Sequence, residues 1–280
     1  MMIKVERLTF QYPNGIEVLH GIDFEIKSGE FVALIGQNGA GKTTLLKHFN
    51  GLLKPSAGRV AISGMDTRES SVGELSRKVG YLFQNPDHQI FMPTVAREIG
   101  FGPRNLGLSK AETEERVQAA AAAVGLSGEL RENPIFLSKG QRQRVAFASL
   151  LSMRPEVMVL DEPTTGQDYR EGIEIMEMVA ELHQNGHTVL FVTHDMELVA
   201  RYAKRVIVLS EGRLLLDDTA RNVFYQPEIL LRTNLFPPQI ARLAQKFEDG
   251  RERFGGALSV TEMRDAVVNP PGGERSVGYC

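Results

Sequence analysis

The sequence predicts an α/β fold built on a mainly parallel sheet. Two observations carry that reading. The runs FVALI (31–35), VMVL (157–160), TVLFV (188–192) and VIVL (206–209) are nearly continuous in Val, Leu and Ile. Such runs suit strands buried on both faces of a parallel sheet. Longer helical patterns separate them. In residues 171–184, for example, Ile175, Val179 and Leu182 share one helical face. Alternation of these elements is the mark of a layered α/β core.

The rhythm breaks over residues 86–152. SKAE (109–112) is a capping box that opens an alanine-rich helix running toward Gly125. This part reads as a helical insertion in the α/β core. After about residue 225 the strand patterns stop. FPPQIARLAQKF places Ile240, Leu243, Ala244 and Phe247 at helical spacing behind prolines. A polar, glycine-containing stretch follows (248–256), and then a second capping box, SVTE (259–262). The end, NPPGGERSVGYC, reads as disordered. The expected organisation is a main domain over 1–225 with its insertion at about 86–152, then a small helical appendix over 226–280.

Composition narrows the function. The chain has 280 residues, 42% hydrophobic and 24% charged, with a net charge of −3. That balance argues against a general nucleic-acid grip, which needs a basic surface. Cys280 is the single cysteine, so no internal disulfide forms, as suits a reducing compartment. The opening MMIKVERLTF lacks the apolar region of a signal peptide. No apolar run reaches the roughly 18 residues of a membrane-spanning helix. Any service to a membrane is therefore expected from its cytoplasmic side, through a partner.

GQNGAGKT (36–43) fits the phosphate-loop pattern G-x-x-x-x-G-K-[ST]. It follows a strand and precedes a helical pattern over 44–53, the context the pattern requires. Glycines let backbone N–H groups approach phosphates, and the helix N-terminus adds a favourable dipole. Lys42 is expected to reach the β- and γ-phosphates and Thr43 to hold Mg²⁺. VMVLDEPT (157–164) ends a buried strand in two carboxylates, where α/β sheets place ligands. Adjacent acids point to opposite sides, so two roles are natural. Asp161 orients Mg²⁺ through water, and Glu162 serves as general base for the attacking water. TVLFVTHD brings His194 to a parallel strand end, within reach of a γ-phosphate.

LSKGQRQRV (137–145) supports two readings. Ser138 and Gln141 form a capping box for a helix over 140–152. The same N-terminus, with a hydroxyl and small neighbours, also suits a second anion site. One chain with one phosphate loop does not need two such sites; two chains facing each other do.

Together these motifs resemble the ATP-binding cassette ATPases, over residues of about 3–225. GQNGAGKT resembles the Walker A motif, Gln84 the Q-loop, LSKGQ the signature, VMVLDEP the Walker B motif, TGQD the D-loop and His194 the switch histidine. The resemblance implies a P-loop NTPase core with an N-terminal antiparallel β part, and a head-to-tail dimer with two ATP molecules sandwiched in it. It assigns ATP contacts to Gly36, Asn38, Gly39, Gly41, Lys42, Thr43 and Thr44 of one chain, and to Ser138, Gly140 and Gln141 of the other. It adds Asp168, and Tyr12 as the aromatic stacked on adenine. Gln84 would sense Mg²⁺ and the γ-phosphate. Two positions depart from the pattern. Lys139 stands where a second glycine is usual, and Gln167 where leucine is common. Neither touches Lys42, Asp161 or Glu162, so hydrolysis is expected to survive.

QNPDHQIFMPTVAREIGFGPRNLGL (84–108) resembles a narrower branch, the energy-coupling-factor importers, including the cobalt/nickel type. The appendix resembles a tail found on some of them. That resemblance implies docking to a transmembrane scaffold through Asp87, Phe91 and Glu98, with acids receiving a scaffold arginine. Ala96 and Arg97 stand where acids are common. The expected function is the ATP-hydrolysing subunit of such an importer, peripheral on the cytoplasmic face. It would pair with a second ATPase chain, a scaffold and a small membrane protein that binds a vitamin or metal ion. The alternatives are the ATPase of a conventional importer, or a cassette ATPase outside transport.

Overall fold

The computed structural model describes residues 1–247 and 254–268. The appendix stretch at 248–253 and the tail at 269–280 lie outside the described residues.

The two predicted layers are present. A four-stranded antiparallel sheet has the order β2 (Glu17–Ile26), β1 (Ile3–Gln11), β4 (Ala57–Ile62), β5 (Met65–Asp66). A six-stranded sheet has the order β10 (Arg213–Thr219), β9 (Arg205–Ser210), β3 (Phe31–Ile35), β8 (Thr188–Val192), β7 (Val157–Asp161), β6 (Val79–Leu82). All its pairings are parallel except β10 with β9. Side chains of β3 alternate between two apolar clusters, as strand geometry requires. Val32 and Leu34 join the cluster between the sheets, and Phe31, Ala33 and Ile35 the one under the helices. Helix α1 (Lys42–Phe49) fills the first cluster with Leu45, Leu46 and Phe49. It stops short of residue 53 because Gly51 turns into a left-handed conformation.

The insertion carries α3 (Val95–Ile99), α4 (Phe101–Asn105), α5 (Lys110–Ala123) and α6 (Lys139–Met153), after the short α2 (Val72–Ser76). Both capping boxes predicted for this insertion form. Ser109 and Glu112 cap α5 reciprocally, as Ser138 and Gln141 cap α6. Lys139 is the first residue of α6, so its side chain meets no left-handed strain. Helix α7 (Tyr169–Gln184) begins two residues earlier than its apolar pattern. Asp168 and Glu171 form a further capping box there.

Helices α8 (Met196–Tyr202), α9 (Ala220–Phe224), α10 (Pro227–Arg232) and α11 (Gln239–Ala244) follow. Beyond residue 225, Leu230, Leu235, Ala241, Ala244, Phe254 and Leu258 belong to the same buried cluster as the sheet. The last described helix, Val260–Val268, starts behind Ser259, whose Oγ accepts the Glu262 N–H at 3.2 Å. The second half of that predicted box is redirected: the Glu262 carboxylate accepts instead from Leu258 N–H and Arg221.

Register decides where the chemistry lies. Leu82 pairs with Leu160 and Asp161 with Val192, while Leu34 also pairs with Val192. The carboxyl ends of β3, β8, β7 and β6 therefore line up. Gly36, His194, Glu162 and Gln84 leave the sheet along one edge.

Candidate nucleotide site

At that edge lies a cavity of about 350 Å³ lined by Asn38, Gly39, Gly41, Lys42, Thr43 and Thr44, with Gln84, Asp161, Glu162 and His194 across from them. Gly36 cannot carry a side chain, since a Cβ there would sit 2.1 Å from the Leu209 carbonyl oxygen. The loop thus bends tightly against β9 before opening into α1. Lys42 is 8% exposed, and its Nζ donates to the carbonyls of Gly36 and Gln37 at 2.7 and 2.9 Å. Burial lowers its pKa, opposed by the negative charges of Glu162 and Asp161.

Thr43 Oγ1 donates to Asp161 Oδ2 at 2.9 Å, and the Tyr81 hydroxyl donates to the same oxygen at 3.3 Å. Asp161 is 3% exposed, and burial raises its pKa against those two hydrogen bonds. Burial likewise pushes the Tyr81 phenol up. Tyr81 was invisible to sequence reasoning. It is one aromatic in a short strand, and nothing in the sequence pairs it with Asp161.

Glu162 departs from expectation in direction. It lines the same cavity as Asp161 rather than the opposite side. The reason is its backbone, which leaves β7 with φ 53, a left-handed turn for a non-glycine residue. Its Oε1 lies 2.6 Å from His194 Nε2, and Thr165 Oγ1 donates to Oε2 at 3.2 Å. The carboxylate and the histidine therefore act as one unit at the cavity wall.

The oxygen donors of Thr43, Asp161 and Gln84 suit Mg²⁺, a hard cation usually held by one or two side chains with the remainder from phosphates and water. Among the described residues no group of three or more His, Cys, Asp or Glu forms a metal cage. A metal that arrives with a nucleotide fits that set.

Ser138, Gly140 and Gln141 do not line this cavity. Ser138 Oγ and the Gln141 amide cap α6. Asp168 caps α7, accepting from Glu171 N–H at 2.8 Å. Tyr12 does not line the cavity either, but its hydroxyl is 3.1 Å from Thr44 Oγ1.

The docking residues need a correction. Glu98 is 3% exposed and accepts the N–H groups of Phe91 and Met92 at 3.0 and 2.8 Å. It shapes the 90–92 turn rather than offering a free acid. Asp87 is paired with Arg142 at 2.7 Å. Phe91 remains 63% exposed, edge-on to Phe101 at 4.8 Å. Together they wall a 240 Å³ groove with Leu52, Val72, Phe83 and Met153. This surface offers an apolar groove beside the exposed Asp87–Arg142 ion pair.

The family model described as ABC transporter matches residues 19–165. The chain belongs to the ABC transporter ATP-binding family. It is 46% identical to the energy-coupling factor transporter ATP-binding protein of Methanocaldococcus jannaschii, over 96% of this chain and 97% of that one. Among solved structures, cbiO1 of Clostridium perfringens, part of the ABC transporter complex cbiONQ, is 37% identical. It superposes with a TM-score of 0.72 over 86% of this chain and 96% of that one. A dimeric ATP-binding cassette in a post-hydrolysis state with ADP and Pi is 30% identical, with a TM-score of 0.73 over 78% of this chain and 99% of that one. The chain spans about half the length of the first curated relatives it matches, 45% and 44% of their residues. In this ABC ATP-binding chain, loop residues from Asn38 to Thr44 share one cavity with Gln84, Asp161, Glu162 and His194, and Ser138, Gly140 and Gln141 lie elsewhere.

Proposed function

We propose that this chain is the ATP-hydrolysing subunit of an energy-coupling-factor importer. The observation that carries the reading is the joining of a phosphate loop, an acid–histidine pair and Gln84 at one cavity, with Gln84 leading by a short turn into the apolar groove at Phe91. The relative named as an energy-coupling factor ATP-binding protein matches over nearly its whole length.

In the proposed reaction the loop N–H groups and Lys42 hold the triphosphate and oppose charge on the γ-phosphoryl oxygens. Water attacks the γ-phosphorus in line. A new P–O bond forms, the bond to the β-phosphate oxygen breaks, and ADP and phosphate result. Glu162 Oε1 accepts the water's proton while His194 holds that carboxylate in aim. Mg²⁺, held by Thr43 and Asp161 with Gln84 near, would neutralise phosphate charge when bound. The signature residues Ser138, Gly140 and Gln141 serve the nucleotide of a second ATPase chain, identical or related, which also accounts for their absence from the cavity. Tyr12 reaches its border through Thr44, while Asp168 caps α7 outside it. The pair of chains sits on the cytoplasmic face of the membrane. It drives a scaffold protein and a small membrane protein that binds a vitamin or metal ion. Among the described residues no helix is long and apolar enough to cross a membrane.

Purifying the tagged chain from detergent-solubilised membranes tests the assembly, with a transmembrane scaffold and a small membrane protein expected alongside. Phe91→Ser is expected to abolish uptake in reconstituted vesicles while ATP hydrolysis stays within about twofold, since the groove lies outside the cavity. Loss of ATP binding in that variant would refute the docking role.

A further inference from the structure

We propose that Gln167 and Lys139 are positioning residues that clamp the 165–168 turn onto the first turn of α6 and thereby aim Glu162. The inference rests on Glu162 being the base in the proposed function.

The two residues are neighbours in space. Gln167 Nε2 donates to the Gly140 carbonyl at 2.9 Å. A Cβ on Gly166 would meet Cδ and Cε of Lys139 at 3.2 and 3.3 Å, so the lysine stem lies over the Gly166 backbone. Gly166 has φ 80, a conformation that keeps a side chain from that position. A Cβ on Gly140 would in turn meet Gln167 Nε2 at 3.3 Å and the Gly166 carbonyl oxygen at 3.4 Å. Helix and turn therefore touch backbone to backbone, with Gln167 as the hydrogen-bonded tie and Lys139 as the cover.

The turn reaches the base directly. Thr165 N–H donates to the Glu162 carbonyl at 3.1 Å, and Thr165 Oγ1 donates to Glu162 Oε2. The other carboxylate oxygen faces His194. At its far end Asp168 is held as the cap of α7. A turn fixed at Gly140 and at α7 has little freedom to swing, so the Thr165 hydroxyl holds its carboxylate oxygen in one place.

Gln167 is also a poor choice for stability alone. Its Oε1 is buried without a hydrogen-bond partner among the described residues, a cost that leucine, of similar length, would avoid. The residue fits a role in aiming chemistry better than a role in holding the fold. This gives a test in which the two roles diverge.

The experiment uses the full chain and compares Gln167→Leu, Lys139→Ala and the double variant in steady-state ATP hydrolysis, with thermal midpoints measured in parallel. Gln167→Leu is expected to lower kcat about fivefold, the worth of one neutral hydrogen bond, with KM for ATP within about twofold. Its midpoint stays equal or rises, because the unpaired acceptor is gone. Lys139→Ala lowers kcat in the same sense. The double variant falls no further than the worse single one, since both act on one turn. An unchanged kcat in Gln167→Leu, a fall in kcat matched by a fall in midpoint, or additive losses in the double variant would each overturn the clamp. Glu162→Gln in the same assay separates the questions. Parental-rate hydrolysis by that variant refutes the base, whereas an unchanged Gln167→Leu refutes the clamp alone.

Discussion

Glu162→Gln is expected to cut ATP hydrolysis by about 100-fold or more, the range covered by loss of a general base. The replacement keeps the length and shape of the side chain and needs no change in the turn, since both residues must bear the same φ of 53. It keeps an oxygen for the Thr165 hydroxyl and a polar contact for His194. What it removes is the capacity to take a proton. ATP binding depends on Lys42, Thr43 and the loop N–H groups, so it should persist. With hydrolysis blocked, the ATP-bound pair of chains has no route back, and light scattering on a sizing column should show a doubled mass with ATP but not with ADP. Hydrolysis at the parental rate would show that another group accepts the proton.

The second large effect lies beneath the phosphate loop. His48 is fully buried on α1, its Nδ1 2.8 Å from the Thr44 carbonyl and its ring edge-on to Phe10 at 4.8 Å. Its Nε2 is buried with no partner among the described residues. Burial lowers its pKa from 6.5 to about 4, against the Thr44 hydrogen bond. The sign follows directly. The folded chain refuses a proton that the unfolded chain binds near 6.5, so the histidine's contribution is complete above 6.5 and is lost as pH falls toward 4. Its full size is about 3 kcal/mol, on the order of one pKa difference of this width. His48→Leu should flatten the fall in urea-unfolding stability between pH 6.5 and 4 by close to one proton. An unchanged slope would place the acid sensitivity elsewhere.

Much of this arrangement was legible. Continuous apolar runs found β3, β7, β8 and β9, because central parallel strands are buried on both faces. The phosphate loop and the caps of α5 and α6 are local chemistry, carried by residues three to seven positions apart. What escaped was non-local. The Glu162–His194 contact joins two strands that meet only in the sheet, and Tyr81 reaches Asp161 the same way. The antiparallel sheet was expected only from the family resemblance, since its half-buried strands carry mixed sequences such as IKVERLTFQ. Glu98 was misread because an acid looks like a surface residue in sequence. Only the fold reveals the two N–H groups that hold it inside. The opposite placement expected for Asp161 and Glu162 assumed that the strand continues, whereas the chain turns at Glu162.

The edge shared by β3, β8, β7 and β6 has a geometric corollary. Neighbouring strands repeat at about 4.8 Å, so the segments bearing Gly36, His194, Glu162 and Gln84 stand like teeth on a comb of constant pitch. The pitch is dictated by peptide hydrogen bonding and not by the side chains on either face. A change in the groove at Phe91 therefore leaves the spacing of the cavity walls as it is.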